Sequence, residues 1–125
     1  MMYRRNGGPG RAGVREAAAR TGHGAAAHPD AVLVDVRETR EWRARHAPGA
    51  VHPPLSGIVA GAGLPSGAQA RPLVVVCRTG NRSRQAAELL AARGAEAVDV
   101  IGGMRDRAGA GLPVVDAHGG NGSGA

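Results

Sequence analysis

The chain has 125 residues, enough for one ordinary domain and too few for two. Ala and Gly supply 46 of them, Leu, Ile and Val only 22, and Phe is absent, so any core is small; the single cysteine excludes an internal disulfide framework, a Cys-rich zinc or iron–sulfur site and a CxxC redox mechanism. Net charge is +6, with 16 basic residues that are all Arg, a balance that invites a nucleic-acid partner until the positions are read.

Residues 1–20 carry five Arg against one Glu, and the other 105 residues carry 11 Arg against nine acids. The excess therefore sits at one end, without the aromatics that stack on bases, and reads as a solvated tail with no nucleic-acid role. Residues 1–13 (MMYRRNGGPGRAG) have no periodicity and are expected to form a disordered basic tail. The domain proper is expected over 14–115, and 116–125 (DAHGGNGSGA) reads as a flexible Gly-rich tail. No apolar run approaches membrane-spanning length, and Arg4-Arg5 is followed by polar, Gly-rich sequence in place of an apolar signal region, so a cytoplasmic location is expected.

Val14 to Arg20 predicts a short helix, interrupted at 21–24 by Gly22 and Gly24 and resuming weakly over 25–27. Ala31 to Val36 (AVLVDV) reads as a buried strand, and 38–45 as a short polar helix whose one large apolar residue, Trp42, is expected to pack in the core. A turn at His46-Ala47-Pro48-Gly49 leads to a brief extended piece over 50–52. The Gly-rich stretch 55–72 is expected to be a long loop with one helical turn. Leu73 to Val76 (LVVV) is the clearest strand. A helix follows to about Arg93 with Gly94 just beyond its end, then a strand over 97–101 (AVDVI). Strand, loop, helix and strand over 73–101 make a βαβ unit, hence a parallel sheet with ligands beyond the carboxyl ends of its strands.

Cys77 stands at such an end. The loop after it, Arg78-Thr79-Gly80-Asn81-Arg82-Ser83, is short enough to curl with its N–H groups inward, and it opens a helix. With Arg78, Arg82 and Arg84 nearby, each local contribution favours thiolate, so a depressed Cys77 pKa is expected. Cysteine phosphatases need an Arg six positions after the nucleophile. Here that position is Ser83, and the nearest Arg residues are the fifth and seventh, Arg82 and Arg84. The tighter loop suits a reacting atom smaller than a phosphoryl group, such as one extra sulfur. The five His residues show no ligand spacing, and neither a metal site nor a cofactor is expected. Ser83 is expected at or near the N-cap of the following helix.

Cys77 to Ser83 (CRTGNRS) resembles the active-site loop of single-domain rhodaneses, the thiosulfate sulfurtransferase family. Other segments agree in order: Leu33-Val34-Asp35-Val36-Arg37-Glu38, Glu41-Trp42 with His46-Ala47-Pro48-Gly49-Ala50, Gly102-Gly103-Met104, and Gly111-Leu112-Pro113-Val114. The resemblance implies an α/β fold, a small parallel β-sheet flanked by helices on both faces. It implies a sulfurtransferase in which Cys77 takes the outer sulfur of thiosulfate or another small anionic sulfur donor as a persulfide. A thiol or cyanide acceptor, or a thiol protein, then removes it. Arg78, Thr79, Gly80, Asn81, Arg82 and Ser83 would bind the donor. Asp35 and Arg37 would either organise the loop from a neighbouring strand or form an ordinary structural salt bridge. The alternative is a non-catalytic sulfur-carrier or regulatory binding module of the same fold. Three departures bear on stability: Arg107, preceded by Asp106, stands where the family usually has an aromatic, 56–71 is Gly-rich where a helix is common, and 21–24 breaks the first helix.

Overall fold

The computed structural model describes residues 10–23 and 30–116. The tail segments 1–9 and 117–125, and the helix expected over 25–27, lie outside the described residues. Strands are β1 (Arg11–Ala12), β2 (Val32–Asp35), β3 (Leu73–Val76) and β4 (Ala97–Val100); helices are α1 (Val14–Arg20), α2 (Thr39–Ala44), α3 (Leu55–Val59), α4 (Asn81–Ala92) and α5 (Gly103–Gly109). The sheet is parallel throughout, in the order β1-β4-β3-β2.

Both faces of the sheet are covered, which is why its strands read as unbroken apolar runs. Residues of alternate parity go to opposite faces. Val32, Val34, Leu73, Val75 and Cys77 meet Leu55 and Ile58 of α3 and Ala86, Ala87 and Leu90 of α4. Leu33, Val74, Val76 and Val100 meet Ala17 of α1 and Met104 of α5. Small alanines on the helices allow close approach to the sheet, so a chain poor in large residues still closes its core. The register places Val34 opposite Val75 and Asp35 opposite Val76, which brings the ends of β2 and β3 level. Asp35 and Cys77 therefore emerge at the same rim.

Four expectations need correction. Residues 10–13 do not belong to a disordered tail: Asp99 N–H donates to Gly10 O and Ile101 N–H to Ala12 O, which makes β1 an edge strand on β4. The Gly-rich stretch after Pro54 holds α3 and a single turn of 3₁₀ helix at Ser66–Ala68, because Leu55 and Ile58 are pulled into the core and Leu55 N–H donates to Val36 O. Ser83 is not the N-cap of α4. Gly80 takes that place with φ +112°, and Ser83 lies fully buried in the first turn. Trp42 is half-buried, and α2 has no buried residue. Its indole stacks on His46 (ring centroids 3.6 Å apart) and on His52 (4.6 Å), forming a surface layer beside the core.

Candidate active site

β3 ends at Val76 and delivers Cys77 directly to the rim. The chain then turns through Arg78, Thr79 and Gly80 into α4. Gly80 supplies the left-handed backbone of this turn, and a Cβ there would lie 3.1 Å from the Arg11 guanidinium. The turn aims the Gly80 N–H at Cys77 Sγ, 3.1 Å away. Ser83, one turn later, puts its Oγ 3.5 Å from the same sulfur.

Cys77 is 1% exposed. Burial pushes its pKa up, but hydrogen bonds from the Ser83 hydroxyl and from the N–H groups of Ser83, Gly80 and Thr79 outweigh it. The net result is a thiol held below its ordinary value. The direction matches the expectation; the source differs in part. Arg84 points outward toward Glu88 on the exposed face of α4, 3.9 Å away. Arg82 forks onto Glu41 of α2: Nη1 donates to Oε1, and Nη2 to Oε2 at 2.9 Å. That contact raises the Arg82 pKa and holds the Glu41 carboxyl down to about 2. Arg78, Thr79 and Asn81 are exposed around the loop.

Asp35 and Arg37 form a closed buried pair. The Arg37 Nε lies 3.0 Å from Asp35 Oδ1, Nη2 lies 2.8 Å from Oδ2, and the Arg37 N–H also donates to Oδ1 at 3.0 Å. Nη2 further donates to Arg45 O at 2.6 Å. Arg37 reaches a cavity of about 230 Å³ at the strand ends, with Arg45, Arg78 and Arg105 facing the single carboxylate Glu41. This mouth is cationic and adjoins the loop. A larger cavity of about 510 Å³ lies near Pro72 and Glu96, at the amino ends of β3 and β4, away from the sulfur. Among the described residues no three His, Cys, Asp or Glu side chains are grouped to hold a metal ion. No described helix is long and apolar enough to cross a membrane.

Three contacts were not anticipated from the sequence. The Cys77 carbonyl accepts from the Met104 N–H at 2.7 Å, and the Arg78 carbonyl accepts from the Arg105 N–H at 3.0 Å, so the start of α5 is laced to the loop. Ser83 Oγ also lies 3.4 Å from Oδ2 of Asp99, a fully buried carboxylate on β4 that pairs with Arg11. A charged residue inside the apolar run AVDVI is the sequence signal for that partnership.

Comparison with known proteins agrees with this geometry. Residues 15–108 match the family model described as a rhodanese-like domain. The chain is 38% identical over 78 residues to the thiosulfate sulfurtransferase GlpE of Pseudomonas savastanoi pv. phaseolicola, covering 59% of this chain and 69% of that protein. It is 33% identical over 75 residues to YrkF of Bacillus subtilis, named as a candidate sulfur carrier, covering 59% of this chain and 40% of that longer protein. Among solved structures, it is similar to a rhodanese-related protein of Thermoplasma volcanium (29% identity, TM-score 0.60, 69% of this chain and 84% of that one). It also shares the fold of a rhodanese-like domain from Anabaena (21% identity, TM-score 0.71, 85% of this chain and 78% of that one). With a sheet of the matching α/β type and a family match over three quarters of its length, the chain belongs to the rhodanese-like domain family.

Proposed function

We propose that this chain is a sulfurtransferase that carries a sulfane sulfur on Cys77. The observation that carries this reading is the cradle itself: one thiol at a strand end, met by the Gly80 N–H at 3.1 Å and the Ser83 hydroxyl at 3.5 Å. In the first step the Cys77 thiolate attacks the outer sulfur of thiosulfate. A new S–S bond forms, the old one breaks, and sulfite leaves with the electron pair. In the second step a cyanide or thiolate acceptor attacks the outer sulfur of the persulfide, and Cys77 departs as thiolate. The N–H groups of the loop stabilise the anionic sulfur in both steps. Arg78, with Arg105 and Arg45, draws the anionic donor to the mouth. Thr79 and Asn81 border its approach. Arg82 acts mainly by fixing α2 to the loop through Glu41, and the Asp35–Arg37 pair props that wall. No cofactor or metal takes part. A free single thiol of this kind suits a reducing compartment, in keeping with the cytoplasm.

The similarity to YrkF favours a second reading, a carrier that holds the sulfur for a partner without turning over small donors. One experiment separates them. Thiosulfate and cyanide are mixed with the protein and thiocyanate is followed, with Cys77→Ser as control; intact-mass analysis after thiosulfate alone runs beside it. Thiocyanate above the control together with one added sulfur supports the enzyme. Added sulfur without turnover supports the carrier. Neither signal refutes both.

A further inference from the structure

Asp99 is 1% exposed and lies behind the loop, where the sulfur-transfer steps make no use of it. Its carboxylate is gripped from β1: Arg11 Nε donates to Oδ1 at 3.0 Å and Nη2 to Oδ2 at 2.9 Å. The same Nη2 reaches Gly80 O at 3.3 Å. On its other side, Oδ2 accepts from Ser83 Oγ at 3.4 Å, and in the thiol form Ser83 Oγ accepts from Cys77 Sγ at 3.5 Å, so ionisation of the thiol requires Ser83 to turn its proton from Asp99 to the sulfur. A continuous chain therefore runs from Arg11 through Asp99 and Ser83 to the sulfur.

We infer that Arg11 and Asp99 are positioning residues for Cys77: Arg11 neutralises the buried carboxylate and so frees the Ser83 proton for the sulfur. This inference rests on the reading of Cys77 as the nucleophile. The Ser83 hydroxyl has one proton and two anionic claimants, Asp99 and the thiolate. A carboxylate with no cation beside it takes that proton and sets a second negative charge close to the first. Arg11 supplies both oxygens of Asp99 with charged donors, which weakens its claim on Ser83. By holding Gly80 O, Arg11 also steadies the residue whose N–H meets the sulfur.

The other charged groups around Cys77 are accounted for. On α2, Glu41 is joined to Arg82 of α4. Glu38, at the start of α2, accepts from Ser56 Oγ at 2.9 Å. Asp35 at the end of β2 and Arg37 just beyond it satisfy each other. Arg78 of the loop and Arg105 of α5 face the mouth, with Arg45 beyond α2. Arg84 and Glu88 lie on the outer face of α4. Asp99 is the buried carboxylate whose charge partner comes from outside the βαβ unit.

The test is the pH dependence of iodoacetamide alkylation of the full chain, which has no other thiol. It reads thiol ionisation without any sulfur donor. Absence of thiocyanate formation would sink the proposed function and leave this measurement intact. In Arg11→Met the midpoint should rise by about one to two pH units, the effect of an uncompensated carboxylate two hydrogen bonds from the sulfur at an effective dielectric near 20. Arg11→Lys should stay close to the parent, because it restores the charge. In the Arg11→Met/Asp99→Asn double variant the midpoint should return to the parent value or below. An unchanged midpoint in Arg11→Met overturns the inference. So does an equal rise in the double variant, which would mean that Arg11 merely braces the strand. If circular dichroism shows Arg11→Met unfolded, Asp99→Asn alone decides: its midpoint must fall, and a rise or no change refutes the coupling.

Discussion

Arg107 occupies a core position and should be replaceable with profit by an apolar residue of similar length. It is 4% exposed, and its Nη2 makes no hydrogen bond. Nε donates to Pro113 O at 3.1 Å, and no described carboxylate pairs with the guanidinium. Burial accordingly lowers the Arg107 pKa. Beside it is a void of about 10 Å³ lined by Val14, Ala17, Leu33, Val76 and Val100, apolar surroundings that suit an unbranched thioether. In Arg107→Met the unmade donor disappears, a gain of about 1–3 kcal/mol, and the bond to Pro113 is lost at a cost of about 1.5–3 kcal/mol. These two nearly cancel. The charge decides the sign, since an unpaired buried ion costs several kcal/mol even after relaxation. A net gain of about 1–3 kcal/mol is expected. At roughly 4–8 °C per kcal/mol for a domain of this size, Tm should rise by about 4–24 °C. Thermal unfolding at pH 7 checks this, with Arg107→Lys as the control that keeps a buried charge and gains nothing. His23 gives a second readout. Its pKa is lowered first by burial and then by Arg107, so its NMR titration midpoint should move up in the Met variant. A Tm at or below the parent would refute the argument that the guanidinium is a burden on the core.

Three further outcomes are expected. Ser83→Ala removes the strongest of the hydrogen bonds that lower the Cys77 pKa, so the alkylation midpoint should rise by about one unit or slightly more while the circular dichroism spectrum is retained. Gly103→Ala places a Cβ 2.3 Å from the Cys77 carbonyl at a residue with φ +55°, and Tm should fall by roughly 10 °C or more in thermal unfolding. The Glu41 carboxyl is held down to about 2 by Arg82, so its contribution to stability is complete above the usual carboxylate value near 4.5 and is lost as pH falls toward 2. Urea unfolding between pH 5 and pH 2 should show this loss, and Glu41→Gln should flatten that limb.

The parallel sheet was legible because its strands are short β-branched runs, and α4 because its apolar residues recur on one face. β1 was not legible. Two residues, Arg11 and Ala12, carry no periodicity, and their strand exists only because β4 offers them an open edge. The basic excess of the amino-terminal region therefore looked idle, although Arg11 is committed to Asp99. α3 was hidden in a similar way. Gly57 argues against a helix, and the burial of Leu55 and Ile58 overrides it, while Gly61, with φ +97°, stands just past the helix end.

The cradle shows where sequence reasoning about a site succeeds and where it stops. A strand, a short loop with Gly80 and a helix start fix the direction of backbone N–H groups, so the direction of the thiol's shift was legible. Side-chain roles could not. Arg82, Ser83 and Arg84 are neighbours in the chain, but a helix turns about 100° per residue and sends them to three different places. Arg82 meets a carboxylate 41 positions away, Ser83 meets the sulfur and Asp99, and Arg84 faces Glu88. Counting nearby arginines therefore overstated the cationic field at the sulfur and missed the hydroxyl. What lowers the thiol is a set of short, oriented dipoles, while the charges stand further out, paired or at the mouth. At neutral pH that arrangement raises the thiolate fraction of Cys77 by local hydrogen bonds, while Arg78 stays exposed at the mouth.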